Sequence, residues 1–396
     1  MNHGWEKKRL GDICIYQRGL TYSKDDEVDK SSKSVLRANN IDLETFTLNF
    51  DDLKYLREDF YIDPKYLLSK DSILICMSSG SKSHLGKVAF VERDFDYAFG
   101  GFMGLITPKT NSRYLYLFMT SPFFRSHLQK ITNGININNL KFSTLQDLFV
   151  PLPNAEIQSK VVKELDRITV LIELKRNQLK DLDTLAQSLF YETFGDPIEN
   201  PKGWESILLE ECVNDNCPIS YGIVQPGEDV ANGTPLVRPV DFGANRCVFN
   251  KNLKHVSPSI SESYKRTILK GDEILICVRG TTGLVKLSHT SLRGANVTRG
   301  IVPIQIKSQL SKIYIYEYLK RERAQSYIQS YTKGIALKQI NLSDLRSLPI
   351  LLPPVSLQNE FAEKIEAIEE QKRLIESSIS DLETLLASRM DYWFND

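Results

Sequence analysis

Two stretches of the chain carry the same long apolar period. After Pro151-Leu-Pro153, apolar residues fall at Ile157, Val161, Leu165, Ile168, Ile172, Leu179, Leu182 and Leu189. After Pro353-Pro354 they fall at Leu357, Phe361, Ile365, Ile368, Ile375, Ile379, Leu382 and Leu386. The spacings are mostly three, four or seven, which is a heptad stripe. Each stripe predicts a helix of about 40 residues, about 60 Å long at 1.5 Å per residue. Prolines precede both, Gly195-Asp-Pro197 stops the first, and Ser356 is a fitting N-cap for the second. Neither stripe has another obvious partner, so the two helices are expected to pack together as a coiled coil within the chain.

The rest of the chain has a different pattern. Ile73–Cys76, Val88–Val91, Ile274–Val278 and Gly300–Ile306 are short apolar runs that predict strands. Pro303 confines the last of these to a sheet edge or a bulge. Asn111–Lys130 and Ser311–Thr332 predict short helices. The expected fold class is α+β. The expected domains are 1–153, a long helix over 154–195, 196–353, and a second long helix over 354–396.

The chain repeats itself at a spacing of about 200 residues, far beyond a solenoid period. Gly4-Trp5-Glu6 recurs as Gly203-Trp204-Glu205, and Asp71-Ser-Ile-Leu-Ile-Cys76 as Asp272-Glu-Ile-Leu-Ile-Cys277. Tyr114-Leu-Tyr116 recurs as Tyr314-Ile-Tyr316. The stretch Gly134, Leu140, Leu145, Pro153, Gln158 recurs without a gap as Gly334, Ile340, Leu345, Pro353, Gln358. Four matches in one order mark a tandem duplication. Two copies about a pseudo-two-fold axis with antiparallel helices would set the globular parts at opposite ends of a rod. Parallel helices would set both at one end. The antiparallel arrangement is the expectation, because it gives two separated, inverted sites.

Charge changes the picture only when taken by region. The 396 residues hold 50 Lys+Arg and 50 Asp+Glu, and a net charge of zero argues against a phosphate binder. Residues 1–150 hold 20 cations and 18 acids, and residues 201–350 hold 20 and 13. The helical stretches 151–200 and 351–396 hold 6 and 9, and 4 and 10. The globular parts are therefore cationic and the helices anionic, which removes the objection. Lys286, Arg293, Arg299, Lys307 and Lys312 follow one another with His289 and no acid. Such a run suits either a solvated face or phosphate contact.

Known catalytic patterns are missing. There is no G-x-x-x-x-G-K-[ST], G-x-G-x-x-G, H-E-x-x-H or G-x-S-x-G. Nor is there an amino-methyltransferase N-P-P-[YF] or D-P-P-[YF]. Arg279-Gly280-Thr-Thr-Gly283 is read as a tight turn. His3, His84, His127, His255 and His289 are scattered without metal-ligand spacing. Six cysteines form no C-x-x-C pair, which fits reduced thiols. No apolar run approaches 18 residues, so no membrane span is expected. The opening residues lack an apolar core, so no secretory leader is expected. The expected compartment is the cytoplasm. A binding or scaffold subunit is expected rather than an enzyme, with no cofactor or metal of its own.

These features resemble a family, the specificity subunits of type I restriction-modification systems. The residues that carry the resemblance are Gly4-Trp5-Glu6 with Leu10-Gly-Asp12, and Leu36-Arg37-Ala-Asn-Asn-Ile41 matching Val237-Arg238-Pro-Val-Asp241. Asp272-Glu-Ile-Leu with Arg279-Gly-Thr281, and the proline-led helices with Gln158 and Gln358, complete it. The resemblance implies two target recognition domains, each reading half of a split, asymmetric site on double-stranded DNA. The helices would fix the spacing and dock two methyltransferase subunits. S-adenosylmethionine would be bound by those partners, and motor-nuclease subunits would join for cleavage. The candidate DNA contacts are Tyr22, Lys24, Ser81, Lys82 and His84 in the first copy. Tyr221, Arg279, Thr281, Arg293 and Arg299 are those of the second, arginine being the favoured guanine reader. Arg37 and Arg238 match in position, which suggests a structural ion pair or a backbone contact. The competing expectation is a non-catalytic coiled-coil scaffold whose duplicated modules bind protein or carbohydrate.

Overall fold

A computed structural model describes residues 4–81, 84–133, 139–334 and 338–395. The chain divides into two compact units, Met1–Asn177 with Ile375–Asp396, and Gln178–Leu374. The division falls within both long helices. The reason is that each core includes helix ends, as follows.

In the first unit β1 (Cys14–Arg18), β2 (Lys33–Leu36), β3 (Ser72–Cys76), β4 (Val88–Val91), β5 (Phe95–Phe99) and β6 (Met103–Pro108) form the main strands. An antiparallel sheet has the order β1-β6-β3-β4. Strand β3, Ser-Ile-Leu-Ile-Cys, is buried throughout, as a continuous apolar run in a covered strand must be. A five-stranded sheet holds β2 and β5 side by side and parallel. Helix α1 (Ser112–Thr120) begins at Asn111, whose side chain accepts from the Tyr114 N–H, and α2 (Pro122–Asn133) follows. Helix α3 (Ala155–Phe194) is the first long helix.

The second unit has β7 (Thr234–Val237), β8 (Ile274–Cys277), β9 (Val285–Ser288), β10 (Asn296–Val297) and β11 (Ile301–Ile304). The order Cys247–Val248, β9, β8, β11 makes one sheet, with β11 at its edge. The missing N–H of Pro303 therefore interrupts no central ladder. Strands β7 and β10 are parallel, as β2 and β5 are. Helices α4 (Lys312–Leu319), α5 (Glu322–Ser330) and the long α6 (Val355–Phe394) complete the unit.

Within each unit the segments of the two long helices run antiparallel. In the first unit Glu164 pairs with Arg389 and Arg176 with Glu383, the latter at 2.7 Å. In the second, Asp183 pairs with Lys372 at 2.8 Å. Within the first unit the start of α3 (Val161, Leu165) and the end of α6 (Trp393, Phe394) share one core with Tyr114 and Phe118. Phe394 meets those two rings edge-on at 5.5 and 5.6 Å. Within the second, Phe361 of α6 meets Phe190 and Phe194 of α3 at 5.7 and 5.0 Å. All sixteen stripe positions are buried or half-buried. The outermost of them pack against globular cores rather than only against the other helix.

Two buried glutamines fasten the first turn of each helix. Gln158 donates to the Pro153 carbonyl (2.7 Å) and accepts from the Thr110 hydroxyl (3.0 Å). Gln358 donates to the Pro353 carbonyl (2.8 Å) and accepts from the Ser311 N–H (3.0 Å). No helix of the described residues is long and apolar enough to cross a membrane.

Phe361→Ala removes a buried ring from the second core and is expected to cost about 3–5 kcal/mol. Urea unfolding followed by amide exchange should show the loss in residues 178–374. An unchanged midpoint there would contradict this packing.

Candidate nucleic-acid interface

Strand direction decides which loops meet. Strands β1 and β3 are both antiparallel to β6, so both end on the same side. Backbone hydrogen bonds then join the loops that follow β1, β2, β3 and β5. The Leu20 N–H donates to the Phe99 carbonyl (2.8 Å) and the Gly100 N–H to that of Leu36 (2.9 Å). The Met77 and Ser78 N–H groups both donate to the Phe102 carbonyl, at 2.9 and 3.1 Å. Segments 19–24, 37–41, 77–81 and 100–102 thus form one cluster.

The second unit repeats this lacing. The Ile223 N–H donates to the Val297 carbonyl and the Arg299 N–H to that of Ile223, each at 2.8 Å. The Thr298 N–H reaches the Val237 carbonyl (3.0 Å), and the Val278 N–H reaches that of Gly300 (2.8 Å). Backbones approach so closely that a side chain is excluded at one matched position. A Cβ on Gly19 would lie 2.0 Å from the Gly100 carbonyl oxygen, and one on Gly222 would lie 2.1 Å from that of Val297.

The structure places the sequence candidates unequally. Tyr22 is half-buried against Leu20, Val35, Leu56 and Ala98, beside Gly100. Burial, then Glu27, raises its hydroxyl pKa against the opposing charges of Arg37 and Lys54. Lys24 is exposed at the start of a 3₁₀ turn that Ser23 and Asp26 cap. Ser81 is exposed and its carbonyl accepts from the His84 N–H (3.1 Å). His84 is half-buried, and burial followed by the charge on Lys87 lowers its pKa, so the neutral imidazole prevails at neutral pH. Lys82 lies outside the described residues.

In the second unit Arg279 and Thr281 lie on the loop after β8, and Arg299 on the loop after β10. Thr281 is exposed. Gly280 and Gly283 adopt φ of 81° and 90°, which makes the segment a tight turn. The Nε of Arg279 is buried without a hydrogen-bond partner among the described residues. Neither Arg279 nor Arg299 pairs with a carboxylate among them. Tyr221 is half-buried against the core that holds Phe190 and Phe194.

Arg293 stands apart from the laced loops. It follows the 3₁₀ turn Thr290–Leu292 and precedes β10, with the Gly294 N–H on the Leu269 carbonyl. That is the end where β8 begins, opposite to Arg279 and Arg299. The run of cations from Lys286 to Lys312 is likewise no single patch. Lys286 donates to the carbonyls of Ala244 (3.1 Å) and Asn245 (2.6 Å). The His289 ring lies tilted against Phe249 at 4.5 Å, and the side chain accepts from the Ser291 N–H. Each intervening strand carries the chain across the sheet, so neighbours in sequence emerge on opposite ends.

Arg37 and Arg238 are ion-paired. Arg37 meets Asp52 at 3.0 Å, and Arg238 grips Asp241 through two nitrogens at 3.1 and 2.8 Å. Sequence reasoning missed two residues of the cluster, Phe102 and Val240, both strongly exposed. The only signal was the turn dipeptide Gly100-Gly101 ahead of an aromatic.

Comparison with known proteins places this geometry. The family model described as type I restriction modification DNA specificity domain matches residues 2–184 and 214–384. The chain is 23% identical over 409 residues to the type I restriction enzyme StySPI specificity subunit of Salmonella potsdam, covering 97% of this chain and 86% of that protein. It is also 23% identical over 299 residues to the type I restriction enzyme EcoBI specificity subunit of Escherichia coli. That match covers 69% of this chain but only 62% of the relative's length. A chain from a solved structure concerning complex assembly and conformational transition of the type I R-M system is similar in fold. Its TM-score is 0.59 at 18% identity, over 98% of this chain and 96% of that one.

Gly222→Ala is expected to part the laced loops, since its Cβ meets backbone rather than a movable side chain. Exchange protection of the Ile223 and Arg299 amides should fall about tenfold or more, while α4 stays protected. Equal protection in the variant would contradict the close approach.

Proposed function

This chain belongs to the type I restriction modification DNA specificity family, and from that premise we propose how it reads DNA. The loop cluster of the first unit reads one half of a split site, and that of the second unit reads the other. The observation that carries this reading is the repeated lacing of four strand-end loops, on which the two copies present different side chains. The first copy offers Ser81, Lys24 and a neutral His84, and the second offers Arg279, Thr281 and Arg299. Different chemistry on one scaffold suits an asymmetric site. Arg279 is the leading candidate for guanine, whose O6 and N7 accept from a guanidinium. Arg299 suits a phosphate, which positions without specifying. Arg37 and Arg238, already held by carboxylates, are structural.

The scaffold alternative would need a loop surface of mixed charge. Asp241, the acid on the laced loops of the second unit, is already taken by Arg238, which favours DNA.

The helix pair serves protein partners. Val170, Leu171 and Leu174 on α3, with Leu385 on α6, are exposed apolar side chains on the first unit's share of the helices. Leu185 and Leu374 are their counterparts in the second. Such residues amid an acidic surface suit docking of methyltransferase subunits, two in the full assembly, and suit phosphate poorly. Those partners bind S-adenosylmethionine and transfer the methyl group to adenine. Motor-nuclease subunits add cleavage, and this chain contributes the address.

The test uses the chain assembled with its methyltransferase partners and duplex DNA carrying its site. Arg299→Ala should reduce the slope of log affinity against log salt by about one, as loss of one phosphate contact requires. Arg293→Ala, at the other end of the strands, should leave the slope unchanged. An unaltered slope in Arg299→Ala, or equal effects of both, would contradict the proposed interface.

A further inference from the structure

Three large hydrophobic residues among those described are 70% exposed or more: Tyr61 at 78%, Phe102 at 70% and Val240 at 79%. Single exposed apolar residues are ordinary on protein surfaces. Here two of the three fall in the loop clusters, one in each unit.

Their positions are related by the repeat. Phe102 corresponds to Gly300, because each offers its carbonyl to the residue after the matched central strand, Met77 or Val278. Val240 corresponds to Asn39, each being the middle residue of the 3₁₀ turn after β2 or β7. The two positions adjoin. A Cβ on Gly300 would stand 3.0 Å from the Pro239 Cγ, next to Val240. In the first unit the residue matching Pro239 is Ala38, which is smaller, and the facing position carries Phe102. Each unit therefore presents one bare apolar side chain at the same place, from alternate loops. The polar residue takes the other position in the first unit (Asn39), and glycine takes it in the second.

Resting on the reading of this chain as a DNA reader, we propose that Phe102 and Val240 are specificity-determining residues, each meeting the 5-methyl group of a thymine in the major groove of the half-site its own unit reads. The thymine methyl is the apolar group that base edges display in that groove, and it is absent from cytosine. Wedging between base pairs, the other apolar mode, needs a long side chain. Valine is too short for it, and a role shared by both units must be one that valine can fill. The backbone under Phe102 is held by two N–H donors to its own carbonyl, so the ring is presented by a fixed turn. Arg279 lies on the neighbouring loop in the second unit, where a major-groove donor belongs.

The experiment binds the chain, assembled with its methyltransferase partners, to duplexes in which each thymine of both half-sites is replaced singly by deoxyuridine. One thymine in each half should weaken binding about fourfold, the worth of one buried methyl. Phe102→Ala should abolish the effect in one half-site alone, and Val240→Ala in the other alone. Both side chains are exposed, so both variants fold, and binding of unmodified DNA through the untouched half verifies it. If deoxyuridine is tolerated at every position, or if the variants keep the wild-type sensitivity, the inference falls while the DNA-reading assignment stands. If Phe102→Ala instead removes a rise in 2-aminopurine fluorescence at one base step, a wedge replaces the methyl contact. If the assembled complex shows no preference for any DNA sequence, the underlying reading fails first.

Discussion

The seating of helix ends inside the recognition cores is the constraint on which the rest depends. Phe361 lies against Phe190 and Phe194, and Phe394 lies against Tyr114 and Phe118. Each core is complete only when it receives the start of one long helix and the end of the other. A parallel pairing would offer each core two starts or two ends, and the aromatic positions would not match. Burial of such rings stabilises by several kcal/mol each, far more than the exposed ion pairs along the helices contribute. Direction is therefore decided by the cores, and the ion pairs follow it.

The same economy governs the loops. A shared lattice of backbone hydrogen bonds holds four strand ends together in each unit, and side chains are then free to differ. Gly19 and Gly222 keep the approach of backbones that the lattice needs. Gln158 ties the first helical turn to Thr110, just before the N-cap of α1, and Gln358 ties it to Ser311, the N-cap of α4. Loop side chains differ between the two units while these fasteners stay in matched places. Diversification of sequence specificity without loss of fold requires that separation.

Much of this was legible in the sequence. The heptad stripes located both long helices, and the offset near 200 residues located the duplication. Pro303 announced an edge strand, and β11 is one. What was hidden has physical causes. A stripe at heptad spacing looks the same whether it faces another helix or a globular core, so the seating of the helix ends in the cores was not visible. Arg293 and Arg299 are six residues apart, and the two-residue strand β10 between them separates their ends of the sheet. Linear charge patterns do not carry that crossing. Phe102 was overlooked because an aromatic residue beside a strand is ordinarily core, and only the turn geometry shows it bare.

Adenine methylation mapped across the host genome, with the chain deleted and then restored, tests the central claim most directly. The account predicts that a split motif with two unlike halves loses methylation on deletion and regains it on restoration. Unchanged methylation at every such motif, with the partner methyltransferase present and active, would contradict it.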